Sequence, residues 1–173
     1  MIVHDFIKPL NPWKLSRLIR IADQNSNLEH IINKIDKQFA IGSQLLFMSN
    51  GRSALRLILS TVSLENGKST VLVPAMTCSV VVTTIISCGY NVRYYDIVRE
   101  NLGPDVKDLS AKLKPDVGFI VIQHNFGLPA FSEQLVALLK EWDGKVIEDC
   151  CLTVGSKWGD FKVGNSFDFS IFF

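Results

Sequence analysis

Three short stretches of this 173-residue chain combine residue types that can hold and activate a ligand. In the first, Ser49-Asn50-Gly51-Arg52-Ser53-Ala54, an apolar run turns into a helical pattern. Glycine lets the backbone approach a ligand closely. A helix N-terminus offers free amides and a partial positive charge, which suits a phosphate. Ser53 adds a hydroxyl, and Arg52 adds a guanidinium whose fork matches phosphate geometry. The bland alternative is a glycine turn with a serine cap and Arg52 in solvent. No Gly-Lys-Ser/Thr follows, so this is not a Walker loop.

The second stretch is Val146-Ile147-Glu148-Asp149-Cys150-Cys151. Asp149 ends an apolar strand pattern. A carboxylate there can pair with a protonated ring nitrogen and make an attached ring a better electron sink. It can equally be a capping or ion-paired acid. Glu148 alternates to the opposite face and reads as structural. The third stretch, Gln123-His124-Asn125-Phe126-Gly127-Leu128-Pro129-Ala130, puts the neutral hydrogen-bonding groups of His124 and Asn125 after another strand pattern. A satisfied structural histidine is the alternative. Cys78, Cys88, Cys150 and Cys151 have no zinc-finger spacing. Cys78, near a helix start, is the one placed for activation, and buried small hydrophobe is the default reading of all four. No Ser-His-Asp arrangement is readable and no metal site is expected.

The elements that must position these groups follow from periodicity. Leu45 to Phe47 leads into the first turn, and a helix follows with Leu55, Ile58, Leu59 and Val62 on one face. Val71 to Val73, Val92 to Tyr95, Val117 to Ile122 and Lys145 to Glu148 read as short buried strands. Val106 to Leu113 and Phe131 to Trp142 read as helices, the latter with Ser132 as N-cap and Gly144 past its end. Cys78 to Ser87 allows a helix or a strand, with Gly89 ending it. Lys157 to Val163 reads as a hairpin around Gly159-Asp160, and Phe167 to Phe173 as a very apolar strand. Continuous apolar strands alternating with helices predict an α/β fold, a mainly parallel central sheet with helices on both faces. In such sheets the ligand lies beyond the carboxyl ends of the strands, which is where all three stretches fall. Leu15 to Ala22 and Leu28 to Phe39 look helical.

Eighteen basic against seventeen acidic residues give a net charge of +1 without a basic stripe, so neither nucleic acid nor a membrane surface is expected as partner. No apolar run reaches the roughly 18 residues of a membrane span. The N-terminus lacks a signal pattern. A reduced, cytoplasmic protein is expected.

The ordered set of motifs resembles the sugar aminotransferase family of pyridoxal-phosphate enzymes, the DegT/DnrJ/StrS group. It comprises Ser49 to Leu55, Val73-Pro74-Ala75-Met76-Thr77, Gly89-Tyr90 before a strand ending in Asp96, and His124 to Ala130. Val146 to Asp149 and Gly155 with Val163-Gly164 complete it. The resemblance implies a partial large domain of a fold-type-I pyridoxal-phosphate transferase over 45–173, preceded by a helical segment over 1–44. It implies pyridoxal phosphate as cofactor, with its phosphate at Gly51, Arg52 and Ser53. Asp149 would meet the pyridine nitrogen, and His124 and Asn125 the ring hydroxyl or the substrate. The implied substrates are a keto sugar carried on a nucleotide and an amino-acid donor, at sites formed in a homodimer.

Departures from the family pattern stand at Arg52 for a threonine, Cys78 for a stacking aromatic residue, Leu152 for a glutamine and Val154 for a histidine. Ser170 matches a phosphate-binding serine, which a shifted register puts at Phe173. The family's Schiff-base lysine falls beyond Phe173, so no catalytic residue is assigned, and negligible transaminase activity is expected of this chain alone. It is expected to be either a truncated or split aminotransferase, or a non-catalytic remnant or binding module of the same fold. An exposed 167–173 segment would favour association or aggregation.

Overall fold

The computed structural model describes residues 46–65 and 67–172. The expected helices at Leu15 to Ala22 and Leu28 to Phe39, and with them the segment 1–44, lie outside the described residues. Among the described residues, seven strands and four helices follow one another: α1 Gly51–Thr61, β1 Thr70–Pro74, α2 Ser79–Ser87, β2 Asn91–Tyr95, α3 Val106–Lys112 and β3 Val117–Gln123. Then come α4 Glu133–Glu141, β4 Lys145–Asp149, β5 Lys157–Trp158, β6 Phe161–Lys162 and β7 Phe169–Ile171. Five strands form one sheet in the order β2-β1-β3-β4-β7. Every pairing within it is parallel. β5 and β6 form the expected hairpin, Lys157 opposite Lys162 and Trp158 opposite Phe161.

Strand alternation divides the core between the two faces. Val71, Val73, Phe119, Val121 and Ile147 pack with Leu55 and Leu59 of α1 and Ile85 of α2. Leu72, Ile120, Ile122 and Val146 pack with Leu109 of α3 and Leu135 and Leu139 of α4. Each such side chain stabilises the fold by about 1.5–3 kcal/mol relative to exposure. Central β1 and β3 are buried along their whole length, which is why their sequences are continuous apolar runs rather than alternating ones.

The ambiguous Cys78 to Ser87 stretch is a helix. Its hydroxyls turn inward on the helix's own backbone, Thr84 Oγ1 donating to Val80 O at 2.7 Å and Ser87 Oγ to Thr84 O at 2.8 Å, so β-branched and polar residues are accommodated without a ladder. Gly89, at φ +87°, stops it. Asn50, not a serine, caps α1, its Oδ1 accepting from Ser53 N. The run before it forms no strand: Leu46, Phe47 and Met48 are exposed. α4 begins at Glu133 behind the Ser132 cap, and Phe131 lies outside it as a core residue. β7 is shorter than expected, and the described residues around it are not an open apolar tail. Ile171 is buried and Phe167, Phe169 and Phe172 are half-buried. Among the described residues no helix is long and apolar enough to cross a membrane.

Candidate functional site

A pocket of about 500 Å³ opens at the carboxyl ends of the strands, on the face covered by α1 and α2. Val121, Gln123, Asp149 and Ile171 line it from the sheet, while Gly51 and Arg52 reach it from α1 and Cys78 stands at the start of α2. The register explains the sheet side. Gln123 pairs with Asp149, and Asp149 with Ile171, so these three side chains share a face. The loop after β1, carrying Met76 and Thr77, closes the pocket beside β3. Strand order reverses direction there, between β1 and β3, and parallel sheets bind ligands at such points.

Asp149 is held at the floor. Its Oδ2 accepts from Gln123 Nε2 at 2.8 Å and its Oδ1 from Cys151 N at 3.3 Å. Across the pocket, Asn50 Oδ1 takes the Ser53 amide at 3.0 Å, and Ala54 N closes the first turn on Asn50 O at 3.2 Å. The helix itself gives the amides of Gly51 and Arg52 no partner, and Arg52 makes no ion pair among the described residues. Two buried polar atoms of the lining have no hydrogen-bond partner, Thr77 Oγ1 and Gln123 Oε1. Such atoms are uncommon in native folds and mark positions where a ligand or solvent group belongs.

Of the residues expected at the site, Gly51, Arg52, Cys78, His124 and Asp149 line the pocket, with Asn125 and Leu152. Ser53 and Ser170 do not. The Ser53 hydroxyl is spent on the helix cap, 3.2 Å from Asn50 Oδ1 and 3.2 Å from Ser49 Oγ. Ser170 precedes Ile171 on β7 and therefore faces the other side of the sheet, where its Oγ donates to Gly164 O at 2.6 Å. His124 touches the pocket without offering it a polar atom. Its side chain is 0% exposed, Nδ1 accepts from Ala130 N at 2.9 Å and Nε2 meets Glu148 Oε2 at 3.1 Å. An Nδ1 that accepts leaves the imidazole proton on Nε2, so a neutral ring donates to the carboxylate. Cys78 departs from the buried-cysteine default and is exposed.

Glu148 is structural, as its strand position predicts. Wholly buried on the α4 side, it also accepts from Gly164 N at 2.8 Å and Ser166 N at 3.0 Å. His124, Glu148 and Cys150 hold their ligand-type atoms within 4.8 Å of one another. The histidine nitrogens and both carboxylate oxygens are already committed to hydrogen bonds. Burial, with Glu148, Asp149 and Cys151 adding to it, pushes the Cys150 thiol far up, which keeps it protonated and a poor metal ligand. Gln123 and Thr77 carried no assigned role from sequence. The signal for Gln123 was available: it lies two residues after Val121 on a buried strand, a polar residue where an apolar one packs.

The family model of the DegT/DnrJ/EryC1/StrS aminotransferases matches residues 20–173. The GDP-perosamine synthase of Escherichia coli O157:H7 is 31% identical over 150 residues, 85% of this chain and 41% of the synthase. The crystal structure of 3-amino-5-hydroxybenzoic acid synthase superposes with a TM-score of 0.75 at 21% identity, covering 97% of this chain and 46% of that one. A DegT DnrJ EryC1 StrS aminotransferase from Brucella abortus gives 0.69 at 16% identity, over 86% of this chain and 42% of its own. This chain thus spans less than half the length of these relatives. It has the α/β fold of the fold-type-I aminotransferases, of which it covers a part, and it belongs to the DegT/DnrJ/EryC1/StrS aminotransferase family.

Proposed function

We propose that residues 45–173 form the cofactor half-site of a pyridoxal-phosphate-dependent aminotransferase that acts on keto sugars carried on nucleotides, with an amino acid as donor and a second copy of the chain completing the site. The observation that carries this reading is the fixed carboxylate of Asp149 on the floor of a pocket whose wall is the N-terminus of α1. A volume of about 500 Å³ is in the range of small-molecule sites. The unpartnered Thr77 Oγ1 adds a polar group that a phosphate or hydroxyl can satisfy. These residues fit the cofactor.

In this reading the free amides of Gly51 and Arg52 and the Arg52 guanidinium bind the phosphate. Asp149 holds a proton on the ring nitrogen by pairing with it. Bound pyridoxal phosphate supplies the electron sink for amino-group transfer. Cys78 stands at the ring's expected stacking position. Its sulfur contacts an aromatic face with less area than a ring would. His124 keeps the loop that carries Asn125 in place without touching the ligand through its imidazole. The nucleotide-sugar substrate class is supported by the family and by the name of the Escherichia coli relative.

A second reading, binding without catalysis, has its own support. Among the described residues no lysine lines the pocket. Lys145 begins β4, at the strand end away from the site, and pairs with Asp168 at 2.9 Å. Lys157 and Lys162 face each other in the β5–β6 hairpin.

Titration with pyridoxal phosphate, followed by absorbance, tests the main reading. A saturable signal is expected, weakened about tenfold or more in Asp149→Asn, in which an amide replaces the charge; a hydrogen bond to a charged group is worth about 1.5–3 kcal/mol. Absence of any saturable signal overturns the cofactor reading. Borohydride reduction separates the two readings: one specifically labelled lysine in this chain excludes the non-catalytic one.

A further inference from the structure

We propose that Gln123 is a positioning residue for Asp149, fixing which carboxylate oxygen faces a ring nitrogen in the pocket. The inference rests on the cofactor reading above and concerns a residue to which that reading gives no role.

Gln123 is 7% exposed and ends a strand that is otherwise wholly apolar, so its amide sits where an apolar side chain would pack. A buried amide is tolerated when its hydrogen bonds are made. Here only one side of it is made. Nε2 donates to Asp149 Oδ2 at 2.8 Å, while Oε1 is buried with no partner. Stability alone does not account for that arrangement, because an apolar residue of the same volume removes the buried orphan Oε1, while Asp149, only half-buried at the pocket, can take solvent on Oδ2 in place of the amide. What the amide achieves is orientation. An aspartate carboxylate turns on a soft terminal torsion. A short charge-assisted bond on Oδ2 arrests that torsion. The opposing contact on Oδ1, from Cys151 N, is long at 3.3 Å and leaves that oxygen the better placed to take a stronger donor.

The parallel register supplies the means. Gln123 and Asp149 are direct partners on neighbouring strands, with side chains on the same face. The amide is therefore held by two buried backbones and not by a loop, which is how a site is kept within a fraction of an ångström of its working geometry.

The test uses the full chain and pyridoxine 5′-phosphate, which keeps the ring nitrogen and phosphate arm and has no aldehyde to react with surface lysines. Affinity is measured by calorimetry, and protonation of the bound ring by its ultraviolet absorbance across pH. In the wild type the bound ring is expected to stay protonated to higher pH than the free ligand. Gln123→Met, matched in volume, is expected to melt no lower than the wild type. It should bind the ligand about tenfold more weakly, the value of a hydrogen bond to a charged group, and lose most of the upward shift. If the Met variant fails to fold, Gln123→Asn carries the same test, with an amide kept but drawn back from Asp149.

A variant that binds with wild-type affinity and an unchanged ring titration overturns the role of Gln123 and leaves the cofactor reading standing. A wild type that shows no upward shift, or no binding, overturns both.

Discussion

Glu148 Oε2 lies 3.1 Å from His124 Nε2, and both side chains are completely removed from solvent. This contact ties β4 to the loop after β3, and the other bonds of Glu148 add the segment at Gly164 and Ser166. Thr153 Oγ1 closes the arrangement by donating to His124 O. Asp149, one residue on, faces the opposite side of the sheet and the pocket. Two adjacent carboxylates thus do separate jobs, one holding loops beneath the site and one holding its floor.

Glu148→Ala should therefore behave as a folding mutation. It strands His124 Nε2 and two backbone amides in the interior, and a buried donor left without its acceptor costs about 1–3 kcal/mol. Guanidinium unfolding followed by circular dichroism measures it. A loss below about 1 kcal/mol would falsify the anchoring role.

Gly164→Ala should destabilise through backbone and packing together. Gly164 sits at φ +83°, and an added Cβ would lie 2.1 Å from Phe172 Cζ and 3.2 Å from Cys150 Sγ. The left-handed conformation alone costs a side-chain-bearing residue about 1–2 kcal/mol, and Phe172 must also move. Thermal melts of the two proteins give the comparison; equal melting temperatures contradict the packing described for β7.

Stability should fall in acid partly through Asp116. Arg93, with Nη2 2.9 Å from Oδ2, and then Thr70, donating at 2.7 Å, hold its carboxyl below the ordinary value of 3.8. A group depressed on folding stabilises the native state above its unfolded pKa, and that contribution is lost as pH drops through the folded value. The window is thus below about pH 4. With both partners partly in water, the pair is worth about 0.2–1 kcal/mol. Asp116→Asn should flatten the acid limb of the stability curve and leave the neutral plateau slightly lower.

The cysteines should differ in reactivity. Cys78 is exposed at the pocket, whereas Cys150 is 0% exposed and its thiol is held protonated by burial. Iodoacetamide with peptide mapping should modify Cys78 in the native protein and Cys150 only after unfolding. Pyridoxal phosphate should slow the first reaction. Equal rates at the two sites would contradict the burial of Cys150.

The sequence by itself determined the architecture, because the signals for it are local. Continuous apolar runs such as Phe119 to Ile122, short and bounded by turns, fit strands covered on both faces, and helical periodicity such as Leu55 to Val62 fits a helix that buries one face. It also placed Asp149 at a strand end, and that is a position along the chain. Tertiary structure alone decided what each polar side chain meets. Ser170 lies outside the pocket because of the two-residue period of β7, with Ile171 taking the pocket face. The Ser53 hydroxyl meets the Asn50 cap, whose geometry depends on where the helix begins. His124 turned out to serve Glu148, a residue 24 positions away in sequence that the sheet register brings within 3.1 Å. The same register set Gln123 against Asp149. Hydrophobic period is written into one segment at a time, whereas a hydrogen bond across strands depends on the register of two.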